Sequence, residues 1–381
     1  MPRAILDITP AGQRPDEDPS LAVRNNGGVA PSAEPAPPGR REALLLLSFG
    51  GPEGHDDVMP FLENVTRGRG IPRERLEEVA EHYHHFGGVS PINDQNKALL
   101  AALEAELRAA GIDLPVYWGN RNWAPYVEDV WQQMADDGIQ HAYVLATSAY
   151  ASFSGCRQYH EDIARARAAR TGDAAAPGGP TAEKLPHYFD AEGFVRANAD
   201  ALAAAVAELP EELRGSARLV ATAHSIPDTM AAVAGPEGHA YEAELQAAAQ
   251  QVVDLAAPGR SFDLVWQSRS GPPSVPWLEP DVNDHLEALA AVGEKAVVLF
   301  PVGFVSDHLE VIWDLDNEAK ETAERLGLAF ARAATAGTHP AFVTALRELL
   351  QERRAGGEPR LGTNCPASCC FVPPRQSRPA S

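Results

Sequence analysis

A continuous apolar run, Ala43–Phe49 (ALLLLSF), closes on Gly50-Gly51-Pro52. A short run without polar alternation, ended by turn residues, predicts a strand buried on both faces, as in a parallel sheet. Helical periodicity follows over Asp56–Val65, Arg73–Phe86 and Ile92–Ala110, broken at Gly87-Gly88 and Gly111. Beyond this the two patterns alternate. Strands are predicted at Val116–Gly119, Ala142–Ser148, Arg218–Ala223, Asp263–Gln267, Lys295–Pro301 and Ala329–Ala333. Helices are predicted at Tyr126–Asp137, Arg157–Arg170, Phe194–Glu208, Ala240–Ala256, Val282–Ala291, Leu309–Leu326 and Pro340–Arg353. Strands alternating with helices build βαβ units and parallel sheets. The rhythm occurs twice, so the fold class is α/β with two similar doubly wound halves. Ligands of such folds sit at the carboxyl ends of the strands, often between domains. The chain divides into an extension (1–41), an N-terminal half (42–185), a C-terminal half with a closing helix (186–354) and a tail (355–381). The polar stretch Gly172–Lys184 reads as a surface loop or the seam between the halves.

Charge narrows the partners. Of 381 residues, 53 are Asp or Glu and 32 Lys or Arg, a net charge of −21. Such a chain is a poor partner for nucleic acid, whose binding needs clustered cations. No apolar run reaches the ~18 residues of a membrane span, and the first forty residues carry no apolar signal core. That opening stretch, rich in Pro, Gly, Ala and charge, is expected to be disordered. The expected location is the cytoplasm, and the expected state a monomer.

Two segments carry candidate chemistry. In Phe300–Glu318 (FPVGFVSDHLEVIWDLDNE) a strand ends at Pro301, a glycine turn follows, and a helix begins near Asp307, its expected cap. Glu310, Asp314 and Glu318 recur at four-residue spacing and would share one helix face. Like charges so placed repel, so a cation is expected to offset them. Hard oxygen donors with His308 nearby suit a divalent metal; the plain alternative is a solvated acidic face. In Arg218–Asp228 (RLVATAHSIPD), His224 stands at the carboxyl end of a buried strand and is expected to point into the cleft. It could ligate a metal or accept a proton, unless it is a hydrogen-bonded core histidine. Four cysteines complete the inventory: Cys156, and Cys365, Cys369 and Cys370 crowded near the end. Four thiolates suit a [2Fe–2S] cluster or a zinc ion.

Six motifs together resemble the ferrochelatase family: LLLSFGGP at Leu45–Pro52, FLENVTRGRG at Phe61–Gly70, HYHHFGGVSPIN at His82–Asn93, ATAHSIP at Ala221–Pro227, WQSRSGPPSVPWLEPDV at Trp266–Val282 and GFVSDHLEVIWDLDNE at Gly303–Glu318. The resemblance runs from about Ala43 to Leu350. It implies a chelatase-like fold of two similar Rossmann-like halves with a porphyrin between them, and Fe²⁺ as the inserted ion. It implies that His224 and Glu310 handle the metal, with His308 beside them and Asp314 and Glu318 continuing outward. Ser90 and Tyr159 match positions that contact the tetrapyrrole, and Arg67 and Arg69 are candidates to pair with its propionates. Phe49 stands where some relatives carry a ligating Tyr; it has no donor atom and offers apolar contact only. Cys156, Cys365, Cys369 and Cys370 resemble the [2Fe–2S] ligand pattern of actinobacterial members. The polar region after the first strand and the likeness to those members point to coproporphyrin III as substrate. Protoporphyrin IX, or a non-catalytic carrier role, is the alternative.

Overall fold

The computed structural model describes residues 40–67, 71–169, 179–270, 274–363, 365–366 and 369–370. The expected disordered extension, except its last two residues, and Arg69 therefore lie outside the described residues, as does the first part of the polar stretch 172–184.

Two four-stranded parallel sheets form the frame, ordered β2-β1-β3-β4 and β6-β5-β7-β8. In the first, β1 (Glu42–Ser48) lies between β2 (Val116–Asn120) and β3 (His141–Ala146), with β4 (Thr181–Lys184) outside β3. In the second, β5 (Arg218–His224) lies between β6 (Phe262–Gln267) and β7 (Ala296–Phe300), with β8 (Ala329–Arg332) outside β7. Central position explains the apolar runs: Leu44–Leu47 and Leu219–Val220 are essentially inaccessible because helices cover both faces of their sheets. β4 falls within the stretch read as loop or seam. Its sequence, TAEK, has no strand pattern because an edge strand with a single neighbour needs little apolar surface.

The helices are α1 (Val58–Val65), α2 (Arg73–His85), α3 (Ile92–Ala109), α4 (Val127–Asp136), α5 (Gln158–Ala169), α6 (Glu192–Glu208), α7 (Ala240–Ala256), α8 (Val282–Ala291), α9 (Lys320–Leu326) and α10 (Pro340–Arg354). The largest core draws on both halves. Leu44 and Leu46 of β1, Phe194 and Leu202 of α6, Leu219 of β5 and Phe342 of α10 belong to one buried cluster. Among the described residues no helix is long and apolar enough to cross a membrane.

One expected helix has a different form. Leu309–Leu326 begins as a single α-turn (Leu309–Val311), widens into a π-helix over Ile312–Ala319, and returns to α as α9. The π segment closes its turns with i→i+5 bonds, and a four-residue spacing still leaves successive side chains on about the same side of the helix. A second π-turn, Phe153–Arg157, leads into α5.

Candidate functional site

A cleft with about 1420 Å³ of empty space, part of it open to solvent, lies at the carboxyl ends of the strands of both sheets. Phe49, Gly50 and Gly51 follow β1, Arg121 and Asn122 follow β2, and Thr147 and Ser148 follow β3. From the other half come His224 at the end of β5 and the loop Gly303–Glu310 after β7. Each half thus offers its strand ends to the same space, as expected for open parallel sheets.

The loop after β7 is seated directly on β5. Gly303 N–H donates to the Thr222 carbonyl at 3.1 Å. A Cβ at Gly303 would stand 2.6 Å from Ala223 Cβ and 2.8 Å from its Cα, so only glycine allows this approach. The contact brings Glu310 opposite His224. His224 Nδ1 bonds the Ser225 carbonyl, which assigns a ring hydrogen to Nδ1 and leaves Nε2 as the nitrogen turned toward Glu310. That Nε2 is buried without a hydrogen-bond partner, 3.6 Å from Glu310 Oε2. Burial pushes the Glu310 carboxyl upward, but the nearby imidazoles of His224, His308 and His82 outweigh it and hold its pKa below the ordinary value. The site therefore sets a carboxylate oxygen opposite an imidazole nitrogen with no hydrogen bond closing the gap.

The other expected metal residues separate. His308 lines the cleft, yet its Nδ1 accepts the Val311 N–H at 3.4 Å and caps the helix, so only Nε2 is left for a ligand. Burial holds the His308 pKa below its usual value. Asp314 is buried away from the cleft lining, bonded to the Ser268 hydroxyl and, at 3.4 Å, to Gln267 Nε2. Burial, reinforced by the charge of Glu310, raises its pKa well above the ordinary value. Glu318 is half-buried beyond Asp314 and outside the cleft lining. Of the three carboxylates expected in a row, Glu310 lines the cleft, and Asp314 and Glu318 lie behind it, with Asp314 close to both of the others.

On the facing wall Ser90, Tyr159 and Phe49 all line the cleft. Phe49 packs edge-on to Phe61 at 6.3 Å between ring centres. Arg67 is exposed and lies outside the lining, two residues past Val65, which is in it. The sequence reading missed Arg121. Its guanidinium is buried, lies 4.5 Å from the centre of the Tyr159 ring and 5.9 Å from that of Phe49, and is paired with Asp162. The argument that found His224, a polar residue at the carboxyl end of a predicted strand, applies equally to Arg121 after Val116–Gly119.

The cysteines come together although 209 positions separate the first two in sequence (365 − 156). Cys365 bonds both Cys156 and Cys369, and these contacts, the first foremost, hold its thiol below its ordinary value. Cys369 and Cys370 have their sulfurs 3.8 Å apart, and Gly235 N–H donates to Cys370 Sγ at 3.2 Å. Among the described residues no group of three or more His, Cys, Asp or Glu has its donors set to enclose a metal ion. The thiols form a bonded row.

Comparison with known proteins follows the same lines. The ferrochelatase family model matches residues 41–354. A protein of Nocardia farcinica named coproporphyrin III ferrochelatase is 57% identical over 358 residues, covering 89% of this chain and 98% of that protein. Proteins with the same name from Mycolicibacterium smegmatis and Streptomyces griseus are 60% and 52% identical, over 84% and 91% of this chain and 92% and 96% of theirs. Among solved structures, SirB from Bacillus subtilis with Fe3+ has a TM-score of 0.50 at 14% identity, covering 83% of this chain and 96% of its own; at that identity the likeness concerns the fold.

Proposed function

The chain belongs to the ferrochelatase family, and on that premise we propose that it inserts Fe²⁺ into coproporphyrin III, giving Fe-coproporphyrin III for haem synthesis. The observation that carries this reading is the 3.6 Å gap between His224 Nε2 and Glu310 Oε2, two residues of the cleft lining, with Nε2 making no hydrogen bond. Two metal–donor bonds of about 2.1 Å meeting at about 120° separate their donors by about 3.6 Å, so one divalent ion fits between these atoms. Insertion balances as Fe²⁺ entering and two pyrrole protons leaving. The ion must exchange water for ligands, and the ring needs a proton acceptor on its face. His224 and Glu310 supply a nitrogen and a charged oxygen on one side of the cleft. Phe49, on the other half, supplies no donor, so the ion is handled from one face of the ring.

Coproporphyrin III carries four carboxylates. The hydroxyls of Ser90 and Tyr159 can donate to them. Arg67, and Arg69 close to it in sequence, can meet a carboxylate at the rim, where solvent weakens the pair. Asp314 and Glu318 are read as an outer station for the ion. The same family reading assigns a [2Fe–2S] group to Cys156, Cys365, Cys369 and Cys370. Support comes from the donor chemistry: four thiols of distant sequence origin in bonded contact, Cys365 with its proton readily lost. That group would tie the tail to Cys156 and takes no part in insertion. The protein is read as a cytoplasmic monomer.

The test is an anaerobic assay with Fe²⁺ and either coproporphyrin III or protoporphyrin IX, followed by visible absorbance. Coproporphyrin III is expected to be converted faster. The reverse order would reassign the substrate. Tight binding of both without conversion would make the protein a carrier.

A further inference from the structure

The residues that hold the cysteine group also shape the cleft. Segment 152–160 has two faces. Ser152, Ser154, Gly155, Gln158 and Tyr159 line the cleft. Cys156, Arg157 and His160 between them hold the tail. Cys156 bonds Cys365, Arg157 Nη1 donates to the Cys369 carbonyl at 3.3 Å, and His160 Nε2 lies 2.9 Å from the Gly362 carbonyl. The π-turn over Phe153–Arg157 produces this division. It is capped by Ser152 Oγ, which accepts from Gly155 N–H at 2.8 Å. A Cβ at Gly155 would meet Ser148 Oγ at 2.6 Å, so the turn is pressed against the cleft wall with no clearance.

A second connection runs parallel to it. His187 is buried behind Cys156, and its main-chain N–H donates to the Leu361 carbonyl at 3.0 Å. Its Nδ1 lies 3.3 Å from Glu244 Oε1, and the ring interacts with the Cys156 side chain. Glu244, also buried, comes from α7 in the other half. Its Oε2 accepts the Ala151 N–H at 2.6 Å. Ala151 stands between Tyr150 and Ser152, both in the cleft lining. One carboxylate therefore holds the imidazole facing Cys156 with one oxygen and the cleft wall with the other.

We propose that the state of the four-cysteine group is coupled to tetrapyrrole binding through segment 150–160, with His187 and Glu244 as positioning residues of that link. The identity of the group at the cysteine end rests on the [2Fe–2S] reading; the coupling needs only that Cys156 is joined to the tail. With the join intact, the wall is preorganised. Without it, the turn samples other shapes, and the tetrapyrrole binds only the competent fraction, so its apparent affinity falls by that fraction. Reciprocity follows: a bound tetrapyrrole must act back on the cysteine group by the same factor.

The test uses full-length protein purified without oxygen, assayed for iron and acid-labile sulfide. Coproporphyrin III affinity is measured by fluorescence with no Fe²⁺ added. Breaking the join in a Cys365→Ser/Cys369→Ser double variant is expected to weaken binding about tenfold. His187→Asn and Glu244→Gln, with wild-type iron and sulfide content, are expected to weaken binding several-fold while kcat at saturating substrate is kept. That split between affinity and kcat separates a positioning role from general damage. Coproporphyrin III is also expected to change the visible circular dichroism of the wild-type cluster, and to leave that of Glu244→Gln unchanged. Unaltered affinity in the double variant and in His187→Asn, or an unaltered wild-type spectrum on binding, overturns the coupling. Absence of iron and sulfide from the wild type overturns the [2Fe–2S] reading alone; the coupling is then decided by the affinity of the double variant.

Discussion

Two buried acid–base pairs stand at strand ends on opposite sides of the cleft, and they are built differently. Arg121 and Asp162 are in direct contact, both nearly inaccessible, and Arg165 Nη1 donates to the second Asp162 oxygen at 2.5 Å. Burial alone would raise the Asp162 carboxyl, but Arg121 and Arg165 outweigh it and hold its pKa below the ordinary value. His224 and Glu310 are also largely enclosed, yet they stop 3.6 Å apart with Nε2 unpartnered. A buried polar atom left without a partner costs stability. A closed pair supports the wall; an open pair retains that cost because a third atom is meant to enter. Both lie at the place where an α/β sheet puts function, so position alone does not tell them apart. Completeness of bonding does.

The contrast can be broken from either side. The largest effect belongs to the open pair: Glu310→Gln or His224→Ala should lower kcat for metal insertion by at least about 100-fold while coproporphyrin III still binds. Fluorescence titration beside the insertion assay checks both halves of that statement. For the closed pair, Asp162→Asn should cost about 3 kcal/mol in urea unfolding, because Arg121 is left buried without its counter-charge. The sign with pH follows. A carboxyl whose folded pKa is depressed contributes stability above its unfolded pKa and loses it as pH falls through the folded value. The gap between wild type and variant should therefore close in acid and be full at neutral pH. A smaller effect is expected at Asp314. It lies outside the cleft lining and is bonded to the Ser268 hydroxyl, so Asp314→Asn should keep insertion within about threefold, against the loss at Glu310 four residues earlier. A collapse of activity in Asp314→Asn would place its charge in the ion's path. The smallest belongs to Arg67, whose exposure limits any propionate pair: Arg67→Ala should weaken coproporphyrin III binding no more than about fivefold.

Most of the architecture was legible because it depends on short-range patterning. The runs at Ala43–Phe49 and Arg218–Ala223 are continuous because β1 and β5 are central strands, and alternation with amphipathic helices fixes parallel order. β4 was illegible for the complementary reason: an edge strand of four residues buries too little to leave a pattern. His224 and Glu310 were readable as types of residue at strand and helix ends. Their distance was not, since it depends on how the loop after β7 sits on β5. The four-residue acidic spacing was readable; that Glu310 alone of the three lines the cleft was not, since it depends on how the segment packs. The gathering of Cys156 with the tail cysteines lies beyond any local pattern; it is tertiary packing between positions 156 and 365.

Gly303 has a consequence for how little the pair's frame can vary. The loop that carries Glu310 lies main chain against main chain on β5, where one hydrogen atom occupies the space a methyl group would need. On the proposed role of His224 and Glu310, the separation of their backbones rests on the van der Waals radius of a residue outside the pair.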